Sequence, residues 1–344
     1  MSSGQNYQSP IVGDEVSHQP VMLAEVLQAL NAGSGQVVVD GTFGAGGYSG
    51  AIAKTGAKIF AIDRDESVLP FAEALDVTFG EQFEFILGRF SQLDELVLSK
   101  TDAPIDGVVL DIGVSSMQLD QAERGFSFLR DGPLDMRMGV SEVSAADLVN
   151  NAGERELSDL LFTYGEEKRA RRIAKAIIVA RRASPIETTL QLAEIIENEV
   201  GRKPGSNHPA TKSFQALRIA VNQEMNELVQ GLFAAERLLQ AGAVLVVVTF
   251  HSLEDRIVKR FFDAKKSAGT ISRHMPISEA TPNAWEKIAK PLKATAAEIS
   301  ANPRARSATL RCARRSSAVA RKVDYSGLGV PGYKLFGEKL VGST

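Results

Sequence analysis

Apolar positions along the chain recur with two different periods, and the switch between them divides it. Residues 23–30 set Leu23, Val26, Leu27 and Leu30 at helical spacing, which predicts an amphipathic helix closed by Gly33 and Gly35. Compact β-branched and aromatic runs follow at 36–40, 58–63, 83–87 and 105–111, each long enough for a strand and separated by helix-like stretches. That alternation predicts a parallel sheet. Beyond Ile112 the strands stop. A loop-rich segment to Val140, punctuated by Gly125, Gly132, Pro133 and Gly139, leads into helical patterns at 145–150, 154–164, 167–183 and 189–200. Gly201, Pro204, Gly205 and Pro209 break the pattern, and one further helix is expected from 210 to 239. Strand patterning returns at 243–250, then a helix at 253–262 and a closing strand at 308–314. The expected organisation is an α/β domain in two pieces, 18–118 and 219–344, interrupted by an inserted helical domain at 119–218. Residues 1–17 read as a disordered leader.

The first strand carries the most specific chemistry. Asp40-Gly41-Thr42-Phe43-Gly44-Ala45-Gly46-Gly47-Tyr48 ends a β-branched run and opens a helix. Strand, glycine turn and helix N-terminus form the corner of a nucleotide-type cofactor fold, where glycine supplies positive φ and lets the backbone approach a ligand. The second strand ends in Asp63, about twenty residues past the turn, the position of the carboxylate that accepts from ribose hydroxyls. A helix cap is the other role open to Asp63, because Arg64-Asp65-Glu66-Ser67 begins the next helix. Asp111 ends the fourth strand. Three acids therefore meet at the carboxyl edge of one sheet, where open α/β sheets bind ligands.

Charge changes the picture locally, not globally. The 344 residues carry a net charge of only -3. Yet residues 299–322 hold seven basic residues (Arg304, Arg306, Arg311, Arg314, Arg315, Arg321, Lys322) and no acid, and seven more (Lys168, Arg169, Arg171, Arg172, Lys175, Arg181, Arg182) lie within 167–182. Segregated basic surface in a near-neutral chain is what phosphate binding requires. The single Cys312 excludes an intramolecular disulfide, and His18, His208, His251 and His274 show no metal-ligand spacing, so no metal is expected. The longest apolar run, 243–250, is too short to span a bilayer, and the N-terminus lacks the regions of a signal peptide. A cytoplasmic protein with no membrane partner is expected.

Longer motifs narrow the reading. Leu110-Asp111-Ile112-Gly113-Val114-Ser115-Ser116, Arg124-Gly125-Phe126-Ser127-Phe128, Gly132-Pro133-Leu134-Asp135-Met136-Arg137-Met138, His208-Pro209-Ala210-Thr211, Phe250-His251-Ser252-Leu253-Glu254-Asp255-Arg256 and Asn302-Pro303-Arg304-Ala305-Arg306-Ser307 join the glycine turn. Together, from about His18 to about Arg315, they resemble the MraW (RsmH) family of bacterial 16S rRNA (cytosine-N4)-methyltransferases. The resemblance implies a class I S-adenosylmethionine-dependent (Rossmann-like) sheet with an inserted all-helical domain thought to help grip RNA. It implies N4-methylation of one cytidine in the decoding region of 16S rRNA in the 30S subunit. By motif, the S-adenosyl-L-methionine contacts fall on Gly46, Gly47 and Tyr48, with Asp63 on the ribose and Phe90 flanking the adenine. Asp111 and Gln118 fall along the methionine and substrate side. The family usually has His at Tyr48 and Pro at Met117, so an imidazole base at position 48 is not expected, and the turn is expected to hold by backbone and shape.

Attack by a cytosine amine needs acceptors near its N–H groups, and a base or water to take the proton afterwards. Asp111 is the first candidate, with His251 and Ser252 second, at the same sheet edge. Methylation at C5 would need a thiolate nucleophile, and Cys312 sits inside the expected last strand. Arg124, Arg137, Lys168, Arg172, Lys212, Arg218, Arg304 and Arg306 are the candidate RNA contacts. The target base has to be unpaired or extruded, with Phe126 and Phe128 either stacking on it or packing the core. A non-catalytic RNA-binding or ribosome assembly factor retaining the pocket is the alternative, and a nucleotide-dependent oxidoreductase is a more distant one. The sequence leaves the oligomeric state open, a homodimer among the forms it allows.

Overall fold

The computed structural model describes residues 20–139, 143–202, 204–205, 207–263, 283–287 and 290–331. The leader expected at 1–17, His18, His274 and most of the polar stretch 267–291 lie outside them. In chain order the elements are α1 (Leu23–Leu30), β1 (Val37–Asp40), α2 (Gly47–Ala53), β2 (Lys58–Asp63), α3 (Leu69–Phe79), β3 (Phe83–Leu87), α4 (Leu93–Leu98) and β4 (Ile105–Asp111). Six helices follow: α5 (Ser116–Asp120), α6 (Ala145–Asn151), α7 (Glu154–Gly165), α8 (Ala170–Arg181), α9 (Thr189–Val200) and α10 (Thr211–Val221). The remainder is α11 (Glu224–Leu238), β5 (Leu239–Thr249), α12 (Ser252–Asp263), β6 (Trp285–Lys287), β7 (Leu292–Lys293), α13 (Ala296–Ala301) and β8 (Thr309–Arg315).

The strands form one sheet in the order β3-β2-β1-β4-β5-β8-β6, with β7 also on β8. β1 to β5 run parallel, and β8 runs antiparallel to β5, β6 and β7. Residues 243–249 of β5 are all buried, the unbroken apolar run expected of a strand covered on both faces. From β1 the chain winds outward through β2 and β3, then returns to start again at β4. That reversal opens a crevice at the carboxyl ends of β1 and β4. Asp40, Asp63 and Asp111 are the last residues of β1, β2 and β4.

The chain divides into two compact units: residues 20–113 with 227–329, and residues 114–226 with 330–331. The second holds a core of its own. Leu157, Leu160 and Leu161 of α7, Ile173, Ala174 and Ile177 of α8, Leu192 and Ile196 of α9, and Phe214 and Leu217 of α10 are buried together at the spacing of one helix face each. Full burial of one such aliphatic side chain is worth about 1.5–3 kcal/mol. Helices α6 and α9 start at well-made caps. Ser144 with Asp147 and Thr188 with Gln191 close reciprocal side-chain and backbone bonds.

Three expectations are corrected. The helix expected from 210 to 239 is broken at Asn222 and Gln223. The Asn222 side chain accepts from Met138 N (2.8 Å) and donates to Met136 O (2.7 Å), and Gln223 takes φ +49°. Those side-chain bonds to a distant loop override an apolar period that continues through the break. β5 starts at Leu239, before the expected 243, because Leu239 pairs with Ile105 ahead of a register shift and a left-handed Gly242. α8 starts at Ala170, after a left-handed Glu166.

Candidate functional site

The glycine turn is fixed from below by Asp40. This fully buried carboxylate accepts from Thr42 N (3.1 Å) and Ser49 Oγ (2.7 Å), tying the end of β1 to the first turns of α2. Thr42 Oγ1 in turn accepts from Asp111 N (2.6 Å), locking the turn to the end of β4. Gly44 and Gly46 take φ +54° and +76°. A Cβ at Gly46 would press on the Phe43 ring at 2.8 Å, and one at Gly47 would strike Pro20 at 2.2 Å. Gly47 is thus needed first for packing against the segment ahead of α1. Tyr48, buried beside it, donates its hydroxyl to Val21 O and closes the same contact. Burial pushes that phenol well above its ordinary range, so Tyr48 stays a neutral donor.

The acids at the sheet edge are shifted upward together. Burial raises Asp40 to about 6, against the lowering effect of its Ser49 and Thr42 bonds. Burial also raises Asp63, whose oxygens accept from Gly44 N (2.8 Å) and Asp65 N (3.0 Å). Asp111 is raised well above the carboxylate range, by burial first and then by the charges of Asp40 and Glu254. Its Oδ1 is buried with no hydrogen-bond partner. A buried carboxylate oxygen without a donor is costly unless a ligand supplies one.

Past β5, Glu254 is completely buried and folds back on its own helix start, accepting from Phe250 N (2.8 Å) and His251 N (3.2 Å). His251 Nε2 lies 2.8 Å from Glu254 Oε1, off the line a hydrogen bond requires, and its Nδ1 faces Glu254 N at 3.5 Å. Both ring nitrogens therefore face Glu254, which orients the imidazole. Ser252 is the exposed first residue of α12. Phe90 is half-buried just after β3, with its Cβ 3.4 Å from where a Gly41 side chain would begin. Gln118 is buried at the start of α5, where its Oε1 accepts from Ser115 N (3.1 Å) in a capping box. Met117 sits in that helix, its carbonyl accepting from Gln121 N.

Several basic candidates are already engaged inside the protein. Arg137 pairs with Asp135 (2.7 Å), Arg172 with Glu199 (2.9 Å), and Arg218 with Glu224 through two bonds of 2.8 Å. Lys212 Nζ donates to Glu166 O (3.0 Å), and Arg124 to Arg137 O (3.1 Å). Arg304 and Arg306 lie in the turn between α13 and β8. Lys168, Arg171, Lys175 and Arg182 are exposed, and none of their side chains has a hydrogen bond or ion pair among the described residues. Phe126 is buried in the helical core, and Phe128 packs at a tilt against His208 (ring centroids 4.6 Å apart) and edge-on against Phe214 (4.8 Å). Cys312 pairs with Val246 inside the sheet. Among the described residues no helix is long and apolar enough to cross a membrane.

S-adenosylmethionine fits the residues present. It carries a sulfonium and an ammonium, for which Asp111 Oδ1 is an unmatched buried acceptor, and a ribose diol, for which Asp63 retains lone pairs. The glycine turn, with its positive-φ backbone, lies between these acids.

The profile of the MraW methylase family matches residues 15–316. The ribosomal RNA small subunit methyltransferase H of Methylobacterium nodulans is 54% identical over 308 residues, covering 88% of this chain and 91% of its own. Its counterpart in Mesorhizobium japonicum is 52% identical over 321 residues, covering 93% and 94%. Among solved structures, an rRNA methylase from Streptococcus thermophilus superposes with a TM-score of 0.37 at 11% identity, covering 88% of this chain and 99% of that one. A likeness that weak carries no argument about function.

Proposed function

Since the chain belongs to the MraW methylase family, we propose that it transfers a methyl group from S-adenosylmethionine to N4 of one cytidine in the decoding region of 16S rRNA, within the 30S subunit. The observation that carries the reading is the buried, unpartnered Asp111 Oδ1 beside the glycine turn, an acceptor without a donor at the edge where cofactors bind. The bound cofactor supplies an already activated methyl, so the protein's task is alignment and exclusion of water. Asp63 holds the ribose by accepting from its hydroxyls, while its bonds to Gly44 and Asp65 keep it aimed. The turn at Gly46, Gly47 and Tyr48 grips through backbone and shape, and Tyr48 handles no proton.

The cytosine amine attacks as its lone pair leaves conjugation with the ring. An acceptor for its N–H assists, and Asp111 is the group we assign to that role, its backbone held by Thr42. His251 is positioned by Glu254, and Ser252 lies at the same helix start. Gln118 supports the substrate side by shaping the α5 start. For RNA the exposed face of α8 is the stronger candidate. Arg171 and Lys175 lie one turn apart on α8, Lys168 stands just before the helix and Arg182 just after it, all four exposed and available to phosphates, whereas Arg172 is held by Glu199. The test uses purified protein, radiolabelled S-adenosylmethionine and 30S particles lacking the modification. Label enters 16S rRNA on this reading; binding of RNA with no transfer would favour the assembly-factor alternative.

A further inference from the structure

Helix α11 carries a glycine in its interior, where glycine weakens a helix and calls for a packing reason. The reason is the Phe90 ring. A Cβ at buried Gly231 would lie 2.3 Å from Phe90 Cδ2, 2.5 Å from Cε2 and 3.3 Å from the Phe90 carbonyl oxygen. Cδ2 is one bond from the ring's attachment, so no swing of a flexible end relieves the clash. The ring would have to retreat by about 1 Å to reach ordinary van der Waals contact.

The same helix secures the chain around the ring. One turn before Gly231, buried Glu227 accepts from Arg89 Nη1 (2.8 Å). Further along, Arg237 Nε donates to Asp94 Oδ2 (2.6 Å) at the start of α4. Arg89, Phe90 and Asp94 are thus held from one helix at three points, and the middle point is an absence of side chain. We propose that Gly231 is a positioning residue for the cofactor: it seats the Phe90 ring against α11 and so sets the width of the slot beside the glycine turn that takes the adenine. The inference rests on the reading of Phe90 as the adenine-flanking residue.

The test is a double-variant cycle read by calorimetry with S-adenosylmethionine and with adenosine, which carries the base without the methionine. Phe90→Ala weakens both ligands about tenfold, the loss expected of one aromatic contact. Gly231→Ala weakens both about three- to tenfold, the cost of forcing the ring off its rotamer. In the methylation assay Gly231→Ala raises KM for the cofactor by the same factor and leaves kcat at saturation unchanged. The Phe90→Ala/Gly231→Ala protein binds no worse than Phe90→Ala alone, because the ring that the new methyl displaces is gone. If Phe90→Ala leaves affinity unchanged, the adenine reading of Phe90 fails whatever Gly231 does. If Phe90→Ala weakens binding but Gly231→Ala does not, or if Gly231→Ala costs the same factor in both backgrounds, the positioning role is overturned. Should Gly231→Ala alone melt too low to assay, the double variant decides: affinity equal to that of Phe90→Ala supports the role, and a further loss contradicts it.

Discussion

Replacing Asp111 by Asn is expected to stabilise the cofactor-free protein while weakening its hold on the cofactor. The Asp111 carboxylate is buried near Asp40 and Glu254, and its Oδ1 has no donor. Its backbone N–H is anchored independently on Thr42 Oγ1, so the strand end survives the change. The native carboxyl has a raised pKa, so it takes up a proton more readily than the unfolded chain does. The stability this confers is present at low pH and is lost as pH rises through the native pKa. Asn does not titrate, so its advantage grows with pH. Removing one buried charge that faces Asp40 and Glu254 is worth on the order of 1–3 kcal/mol. At about 2–4 °C per kcal/mol for a chain of this size, the variant melts roughly 2–12 °C above wild type at pH 8 and close to it at pH 5. Loss of one charge-assisted interaction costs about 1.5–3 kcal/mol, roughly 10- to 150-fold in Kd. Thermal melts at the two pH values, with calorimetry on S-adenosylmethionine and S-adenosylhomocysteine, read both effects. A carboxylate that faces the sulfonium loses more for the first ligand than for the second; one that faces the ammonium loses equally. A lower melting point at pH 8 together with unchanged affinity would refute the reasoning.

Other perturbations separate the parts. Asp63→Ala removes the ribose acceptor and the brace on Gly44, and is expected to weaken cofactor binding by at least about 100-fold; unchanged affinity in calorimetry would mean the ribose is held elsewhere. Glu236→Ala takes a fully buried carboxylate from Arg321 and Trp285 Nε1 (2.8 Å), costing about 3–5 kcal/mol in denaturant melts. Cofactor affinity of the folded fraction stays at the wild-type value. Combined Ala substitution of Lys168, Arg171, Lys175 and Arg182 lowers RNA affinity and reduces the salt slope by up to about 3 in log–log units. Arg172→Ala, which breaks a pair with Glu199, leaves the slope unchanged.

Local pattern was enough where one signal dominated. β2, β3, β4, α1 and α9 fall on the residues expected from periodicity and caps, and the three strand-end acids share the edge that the parallel order requires. What the pattern could not carry was long-range. The break at Asn222 depends on Met136 and Met138, some eighty residues away in the chain, and apolar spacing runs straight through it. β6 and β7 are too short to show a period and exist only as partners of β8. Arg137, Arg172 and Arg218 look like any basic residue in the sequence, yet each meets a carboxylate in the fold. The glycines were legible as a turn but not in their separate duties: Gly47 makes room for Pro20, and Gly231, inside a helix far along the chain, makes room for Phe90.

The central claim is the atom that is methylated. Unmodified 30S particles are incubated with the protein and labelled S-adenosylmethionine, the 16S rRNA is digested to nucleosides, and the labelled product is identified by mass and fragmentation. The label is expected in N4-methylcytidine from a single decoding-region fragment. Label on a ring carbon, or 16S rRNA without label, would contradict it.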